Sequence, residues 1–376
     1  MLKKKILMVI GTRPEAIKMA PLVHELKKSK LFDLDVCVTA QHRSMLDQVL
    51  ELFDIHPDYD LDVMQEGQKL EELTGRIISS VSDVIKKSDY EMILVHGDTT
   101  TTFGSALAAY YNKIKIGHVE AGLRTHDIYS PWPEEANRKL VAALSSFHFA
   151  PTVEAKNNLI SENVDPNKII VTGNTVIDSL KMITARLRDD FQLEKEVKKE
   201  FSDIDFQKKI LLVTGHRREN FGEGFNNICI ALKKLAEHYQ DLEIVYPVHL
   251  NPNVRNPVFK NLSEAKNIKL IEPLEYTNFA YLLLNSHIVL TDSGGIQEEA
   301  PFLGKPVLVM RDTTERPEAV KAGTVKLVGT DVDRIFENVT KLLEDNQEYF
   351  LMSRASNPYG DGNSSKVISS YLEQNL

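Results

Sequence analysis

A repeating alternation constrains this chain more than any other feature: a short apolar run, a turn, then a segment of helical period. The runs fall at Lys5–Ile10, Asp35–Thr39, Met92–His96, Lys115–Val119, Phe147–Ala150 and Lys168–Thr172. They continue at Lys209–Thr214, Glu243–Val248, Ile268–Ile271, His287–Thr291, Pro306–Met310 and Val325–Val328. Ile210-Leu211-Leu212-Val213 and Met92-Ile93-Leu94-Val95 are apolar without alternation, as a strand covered on both faces must be. Strands that alternate with helices predict parallel sheets. At 376 residues the chain exceeds what one core usually holds, which predicts two domains.

An internal repeat places the halves. Lys4–Glu15 (KKILMVIGTRPE) resembles Lys208–Glu219 (KKILLVTGHRRE), each reading as the first strand and ligand-side turn of a Rossmann-like unit. The charged stretch Thr175–Phe206 reads as the linker. The expected division is a first domain over residues 1–174, to which a final helix within 363–376 returns, and a second over residues 175–362. The fold class expected is α/β: two Rossmann-like domains with parallel sheets facing a central cleft. Ligands of such sheets bind beyond the carboxyl ends of the strands, so residues just after strands are the functional candidates.

Composition narrows the partners. The formal charge is −9 with no basic stripe, which argues against nucleic acid, while local Arg and Lys can still hold an anion. Cys37 and Cys229 lie far apart in apolar segments and read as buried free thiols, in keeping with a reducing cytoplasm. No apolar run reaches membrane-spanning length. Lys3-Lys4-Lys5 before Ile6–Ile10 imitates a signal peptide, but the run is too short and leads into Thr12-Arg13-Pro14-Glu15, so it reads as a strand.

The turns carry the chemistry. Gly11-Thr12-Arg13-Pro14 opens a helix in which Arg13 and Lys18 add positive charge near an anion-favouring N-terminus. Asp292-Ser293-Gly294-Gly295 follows a strand with two glycines and a hydroxyl suited to cradling a diphosphate, and Glu299 lies one turn further on, in reach of ribose hydroxyls. Asp98 follows a strand, where it reads either as a helix cap or as a cleft carboxylate. Glu120 ends the next strand. Glu134 and Glu135 open a helix and either complement its dipole or join the other carboxylates in acid/base work. Carboxylates gathered in one place are expected to raise one another's pKa. His216 stands in the turn of the second repeat beside Arg217 and Arg218. Arg316, in a loop after Val307–Met310, is within reach of a phosphate. The pattern is neither G-x-G-x-x-G nor a Walker loop, and H-E-x-x-H, C-x-x-C and G-x-S-x-G are missing, so no motif calls for NAD, a metal or a serine nucleophile.

Taken together, GTRPEAIKMAP at Gly11–Pro21, GDTT at Gly97–Thr100, HVEAGLR at His118–Arg124 and YSPWPEEAN at Tyr129–Asn137 closely resemble the non-hydrolysing UDP-N-acetylglucosamine 2-epimerases. VTGNTVID at Val171–Asp178, VTGHRREN at Val213–Asn220 and PVHLNP at Pro247–Pro252 extend the resemblance. TDSGGIQEEAP at Thr291–Pro301 and GKPVLVMRDTTERPE at Gly304–Glu318 complete it, in family order over nearly the whole chain. The resemblance implies a glycosyltransferase-B-like fold and a reversible conversion of UDP-GlcNAc to UDP-ManNAc without a cofactor. It implies catalytic roles for Asp98, Glu120, Glu134 and His216. It implies nucleotide contacts from Arg13, Lys18, Phe279, Ser293, Gly294, Gly295, Glu299 and Arg316, with Leu274 at a nucleobase-contacting position. Bacterial members often bind a second UDP-GlcNAc as activator: Gln41 and His42 resemble part of that site, and Gly67 stands where such members often carry a basic residue. A homodimer follows from the resemblance alone. The competing expectations are a hydrolysing epimerase releasing ManNAc and UDP, a UDP-sugar glycosyltransferase of the same fold, and a nucleotide-sugar sensor without turnover.

Overall fold

The computed structural model describes residues 3–39, 43–65 and 67–376. The chain forms two compact units, one of residues up to Ser179 together with Tyr359–Leu376, the other of Leu180–Pro358. Among the described residues the first holds β1 (Lys4–Ile10), β2 (Phe32–Val38), β3 (Tyr59–Asp60), β4 (Tyr90–His96), β5 (Lys115–Val119), β6 (Phe147–Ala150) and β7 (Ile169–Val171). The second holds β8 (Lys209–Thr214), β9 (Leu242–Pro247), β10 (Ile268–Ile271), β11 (Ile288–Thr291), β12 (Val307–Val309) and β13 (Val325–Leu327). Each run expected from the sequence is a strand; β3 was not foreseen, because a two-residue edge strand has no periodicity to read. It is paired only at Cys37↔Tyr59 and Val38↔Asp60.

The first sheet runs β3-β2-β1-β4-β5-β6-β7 and the second β10-β9-β8-β11-β12-β13. Every pairing is parallel. Both orders are the Rossmann one, in which the chain starts at the centre, works to one edge, then crosses back beside the first strand. The reversal leaves a crevice at the carboxyl ends of β1 and β4, and another at those of β8 and β11. The central strands are sealed on both faces: Ile6, Leu7, Met8 and Ile10 are fully buried, as are Leu211, Leu212 and Val213. That burial is why their sequences do not alternate. Cys37 and Cys229 are buried free thiols.

The last helix, Ser364–Asn375, belongs to the first unit. Ile368 and Leu372 are fully buried, Tyr371 meets Phe147 and Phe149 edge-on at 5.6 and 6.0 Å, and Ser29 Oγ donates to Glu373 at 2.6 Å. Its first turn has no side-chain cap of its own. The cap is supplied from elsewhere in the chain, since Asp178 accepts from the amides of Ser364 at 3.1 Å and Ser365 at 2.8 Å. Asp178→Ala leaves both buried donors without an acceptor. A loss of about 2–4 kcal/mol is expected, read as a lower urea midpoint at unchanged m-value; an unshifted midpoint would contradict this capping role.

Candidate active site

In the first unit the turn after β1 is built around one carboxylate. Thr12 caps the helix Arg13–Lys28 in a capping box with Glu15. Glu15 is buried and accepts from the amides of Gly11 at 2.6 Å and Thr12 at 2.7 Å. It also accepts from the hydroxyls of Thr99 at 2.6 Å and Thr102 at 3.2 Å, which belong to the turn after β4. Burial pushes the Glu15 carboxyl above the usual carboxylate range, against the pull of these donors. Thr12 and Glu15 carry the T-x-x-E spacing of a capping box, and Glu15 also reaches the hydroxyls beyond β4.

The same helix carries Arg13 at its start and Lys18 one turn in. Arg13 is half-buried, and its side chain pairs with nothing among the described residues. Lys18 forms an ion pair with Glu120, which follows β5. Asn174 Nδ2 donates to the same Glu120 oxygen at 2.9 Å, and His96 Nε2 lies 3.6 Å from it. Burial would push the Glu120 carboxyl up, but Lys18 and His96 override it and hold it well below the usual range. Glu120 also sits at φ +62°, a left-handed backbone that costs a non-glycine residue about 1–2 kcal/mol and that concentrates at functional sites.

Asp98 does not cap a helix. Thr99 does, accepting from Thr102 N at 3.2 Å, and Asp98 instead takes Arg138 Nε at 2.8 Å and Nη2 at 2.7 Å. Of the two glutamates that open the helix Glu134–Leu144, Glu135 is fully buried and accepts from the amides of Thr125 and His126 and from Arg138 at 3.1–3.2 Å. It is committed to holding the loop. Glu134 is half-buried and has no hydrogen-bond or ion-pair partner among the described residues. The expectation that the carboxylates raise one another does not hold at Glu120, because a lysine and a histidine are interposed.

In the second unit the crevice between β8 and β11 centres on Asp292, which is fully buried. It accepts from the amides of His216 and Arg217, both at 2.9 Å, and from Asn220 Nδ2 at 3.2 Å. His216, at the β8 turn, stacks on His249 with centroids 5.5 Å apart. Burial, Arg217 and His249 lower its pKa, and Asp292, 3.6 Å from Nδ1, offsets them only in part. Beyond Asp292, Ser293 precedes the helix Gly294–Phe302 without its side chain capping it. A Cβ placed on Gly294 would meet Arg316 Nη2 at 3.7 Å and Arg217 Nη2 at 3.8 Å. Two guanidiniums therefore converge on a helix N-terminus, an arrangement made for an anion.

That helix also holds the surrounding groups. Gln297 accepts from Thr314 at 2.6 Å, Thr314 in turn takes the amide of Arg316 at 3.0 Å, and Glu298 pairs with Arg316 Nε. Glu299 is buried and accepts from Tyr276 at 3.1 Å, which fixes the helix Tyr276–Asn285 bearing half-buried Phe279. Leu274, in the loop before it, borders a cavity of about 340 Å³ with Phe201, Ile271 and Pro273. Gly295 follows Gly294 in the first helical turn. Gln41 and His42 lie outside the described residues. Arg138, His96, Asn174, Asp292 and Arg217 were not among the candidates; they occur within or beside the quoted motifs, but single residues carry no sign of which partner they will meet.

Two parallel α/β units of Rossmann order, one lined with carboxylates and the other with cations around a glycine turn, define a nucleotide-sugar type of chain with a glycosyltransferase-B-like fold. A family profile described as UDP-N-acetylglucosamine 2-epimerase matches residues 24–373. The UDP-N-acetylglucosamine 2-epimerase of Escherichia coli (strain K12) is 58% identical over 371 residues, covering 99% of each chain. The crystal structure of the Neisseria meningitidis UDP-GlcNAc 2-epimerase bound to UDP-GlcNAc is similar with a TM-score of 0.91 at 56% identity, over 99% of this chain and 100% of that one. The Methanocaldococcus jannaschii enzyme in complex with UDP-GlcNAc and UDP matches with a TM-score of 0.80 at 33% identity, over 99% and 100% of the two chains. The chain belongs to the UDP-N-acetylglucosamine 2-epimerase family.

The turn after β1 gives a direct test of packing. A Cβ on Gly11 would lie 2.2 Å from Thr101 Oγ1 and 2.6 Å from its Cβ, and Thr101 is itself buried. Gly11→Ala is expected to lose about 1–3 kcal/mol through overpacking, measured by chemical denaturation; wild-type stability would show that the turn yields freely.

Proposed function

We propose that this protein interconverts UDP-GlcNAc and UDP-ManNAc without hydrolysis. UDP leaves by anti elimination and re-adds through a 2-acetamidoglucal. The reading is carried by one observation: a glycine turn flanked by Arg217 and Arg316 at a helix N-terminus, in a chain whose other unit presents Asp98, Glu120 and Glu134 at strand and helix ends.

The chemistry follows from the substrate. C2 of the sugar is next to no carbonyl, so direct loss of its proton would leave an unstabilised carbanion. When the C1–O bond breaks at the same time, its electron pair leaves with UDP, the C2 proton passes to a base, and the C1–C2 double bond takes up the electrons. Re-addition returns a diphosphate oxygen to C1 and a proton to the opposite face of C2, which calls for an acid distinct from the base. Glu120, held ionised, and Asp98, held by Arg138, are assigned to proton transfer with Glu134, which has no partner among the described residues. Ser293, Gly294, Gly295, Arg316 and Arg13 are assigned to the departing diphosphate, Lys18 to Glu120 and the phosphates, and Glu299 to the ribose. His216 has its pKa lowered, so near pH 7 it is neutral and offers one N–H to the leaving oxygen. Leu274 and Phe279 are assigned to the base. Gln41 and His42 are proposed as part of a second UDP-GlcNAc site, and the enzyme as a homodimer.

NMR of UDP-GlcNAc incubated with the protein is expected to show UDP-ManNAc; free ManNAc with UDP would establish hydrolysis instead, and no change would leave a binder. Glu120→Gln is expected to slow exchange of the C2 hydrogen with deuterated water by about 10²–10⁴-fold, and undiminished exchange removes it from proton transfer. Gly294→Ala makes only ordinary contacts at 3.7–3.8 Å. Its stability is expected to stay within about 1 kcal/mol while its methyl group fills the anion position. UDP affinity by calorimetry should then fall about tenfold or more, and unchanged affinity would place the diphosphate elsewhere.

A further inference from the structure

His96 ends β4 and is 4% exposed. Among the described residues neither ring nitrogen has a hydrogen-bond partner. A buried imidazole left unsatisfied on both sides is costly and calls for a reason. Its surroundings supply one. From β5 it faces Glu120, whose Oε2 lies 3.6 Å from Nε2, and His118. From the helix Arg13–Lys28 it lies near Glu15, and Lys18 pairs with the same Glu120 oxygen that His96 approaches. The imidazole therefore lies within the influence of two carboxylates: Glu15, which ties the turns after β1 and β4 together, and Glu120, assigned above to proton transfer.

We propose that His96 is the positioning residue of Glu120, holding that carboxylate in place at the end of the central strands. Lys18 and Asn174 contact the same Glu120 oxygen, Lys18 from a helix and Asn174 from the loop after β7. His96 is anchored by a central strand. At 3.6 Å it is just beyond hydrogen-bond length, so a small shift of Glu120 towards the sheet makes the bond and satisfies Nε2. The influence on charge is mutual: the imidazole favours the ionised form of Glu120 and also that of Glu15.

This inference rests on the epimerase reading for its kinetic consequence but not for its physical core, and the test keeps the two apart. His96→Gln is expected to bind UDP within about threefold of wild type and to lose about tenfold or more in kcat. Without the imidazole Glu120 takes up its proton more readily, so the acidic limb of the kcat/KM profile moves to higher pH. Wild-type kcat with an unmoved limb overturns the proposal. The second measurement needs no turnover. The imidazole resonances of His96 in the wild-type protein, read by nitrogen-15 NMR at one fixed pH, are compared with those in Glu120→Gln. Replacing the carboxylate 3.6 Å from Nε2 is expected to displace them; identical spectra in the two proteins overturn the proposal, whether or not His96→Gln folds. A wild-type protein inactive towards UDP-GlcNAc but with the expected NMR shift would sink the epimerase reading and leave the His96–Glu120 pairing standing.

Discussion

One buried carboxylate at each topological reversal supports what surrounds it. In the first sheet Glu15 reaches from the β1 side to the hydroxyls after β4. In the second Asp292 reaches from the β11 side to the amides after β8. Parallel strands end with their turns unpaired, because no neighbouring strand continues the ladder beyond them. A buried acceptor that gathers amides and hydroxyls from both sides of the crevice satisfies those donors and fixes the two turns relative to each other. The two units reach the same solution from opposite sides of the reversal. Their sequence repeat, GTRPE against GHRRE, does not reveal this, since Glu15 does the work in one case and the second repeat's Glu219 is instead paired with Arg311 at 2.5 Å.

With the turns fixed, the charges are sorted by unit. The first gathers carboxylates and gives two of them a cation each: Lys18 for Glu120, Arg138 for Asp98. The second gathers guanidiniums and pairs Arg316 with Glu298 and Arg311 with Glu219. A leaving diphosphate needs positive charge that does not move during reaction, and such preorganisation is where most electrostatic catalysis originates. A carboxylate that must be ionised in a buried place needs a nearby cation to offset its desolvation. The second requirement is met at Glu120, which is buried beside Lys18 and held ionised by it.

The strands, their parallel pairing, the two Rossmann-like units and the return of the final helix were all legible, because burial on both faces writes itself into unalternating apolar runs. The glycine turn and the strand-end carboxylates stand where the sequence put them, at the ends of strands, because ligand-side loops of such sheets follow strands. The family was legible from motif order. What escaped was pairing. Glu134 and Glu135 are adjacent and identical in type, yet Glu135 is entombed by two amides and an arginine while Glu134 has no partner among the described residues. Asp98 read equally well as a cap, until Thr99 beside it took that role.

The sequence by itself determined the fold, since hydrophobic periodicity and turn chemistry act locally and along the chain. It also determined which kinds of residue stand at the strand ends. Only the tertiary structure decided their charge and availability: that Glu120 is held ionised between Lys18 and His96, that Asp178 caps a helix nearly two hundred residues away, and that Arg217 joins Arg316 at Gly294. The physical reason is that ion pairing and desolvation depend on distances of a few ångströms between groups remote in sequence, and those distances exist only once the strands have assembled.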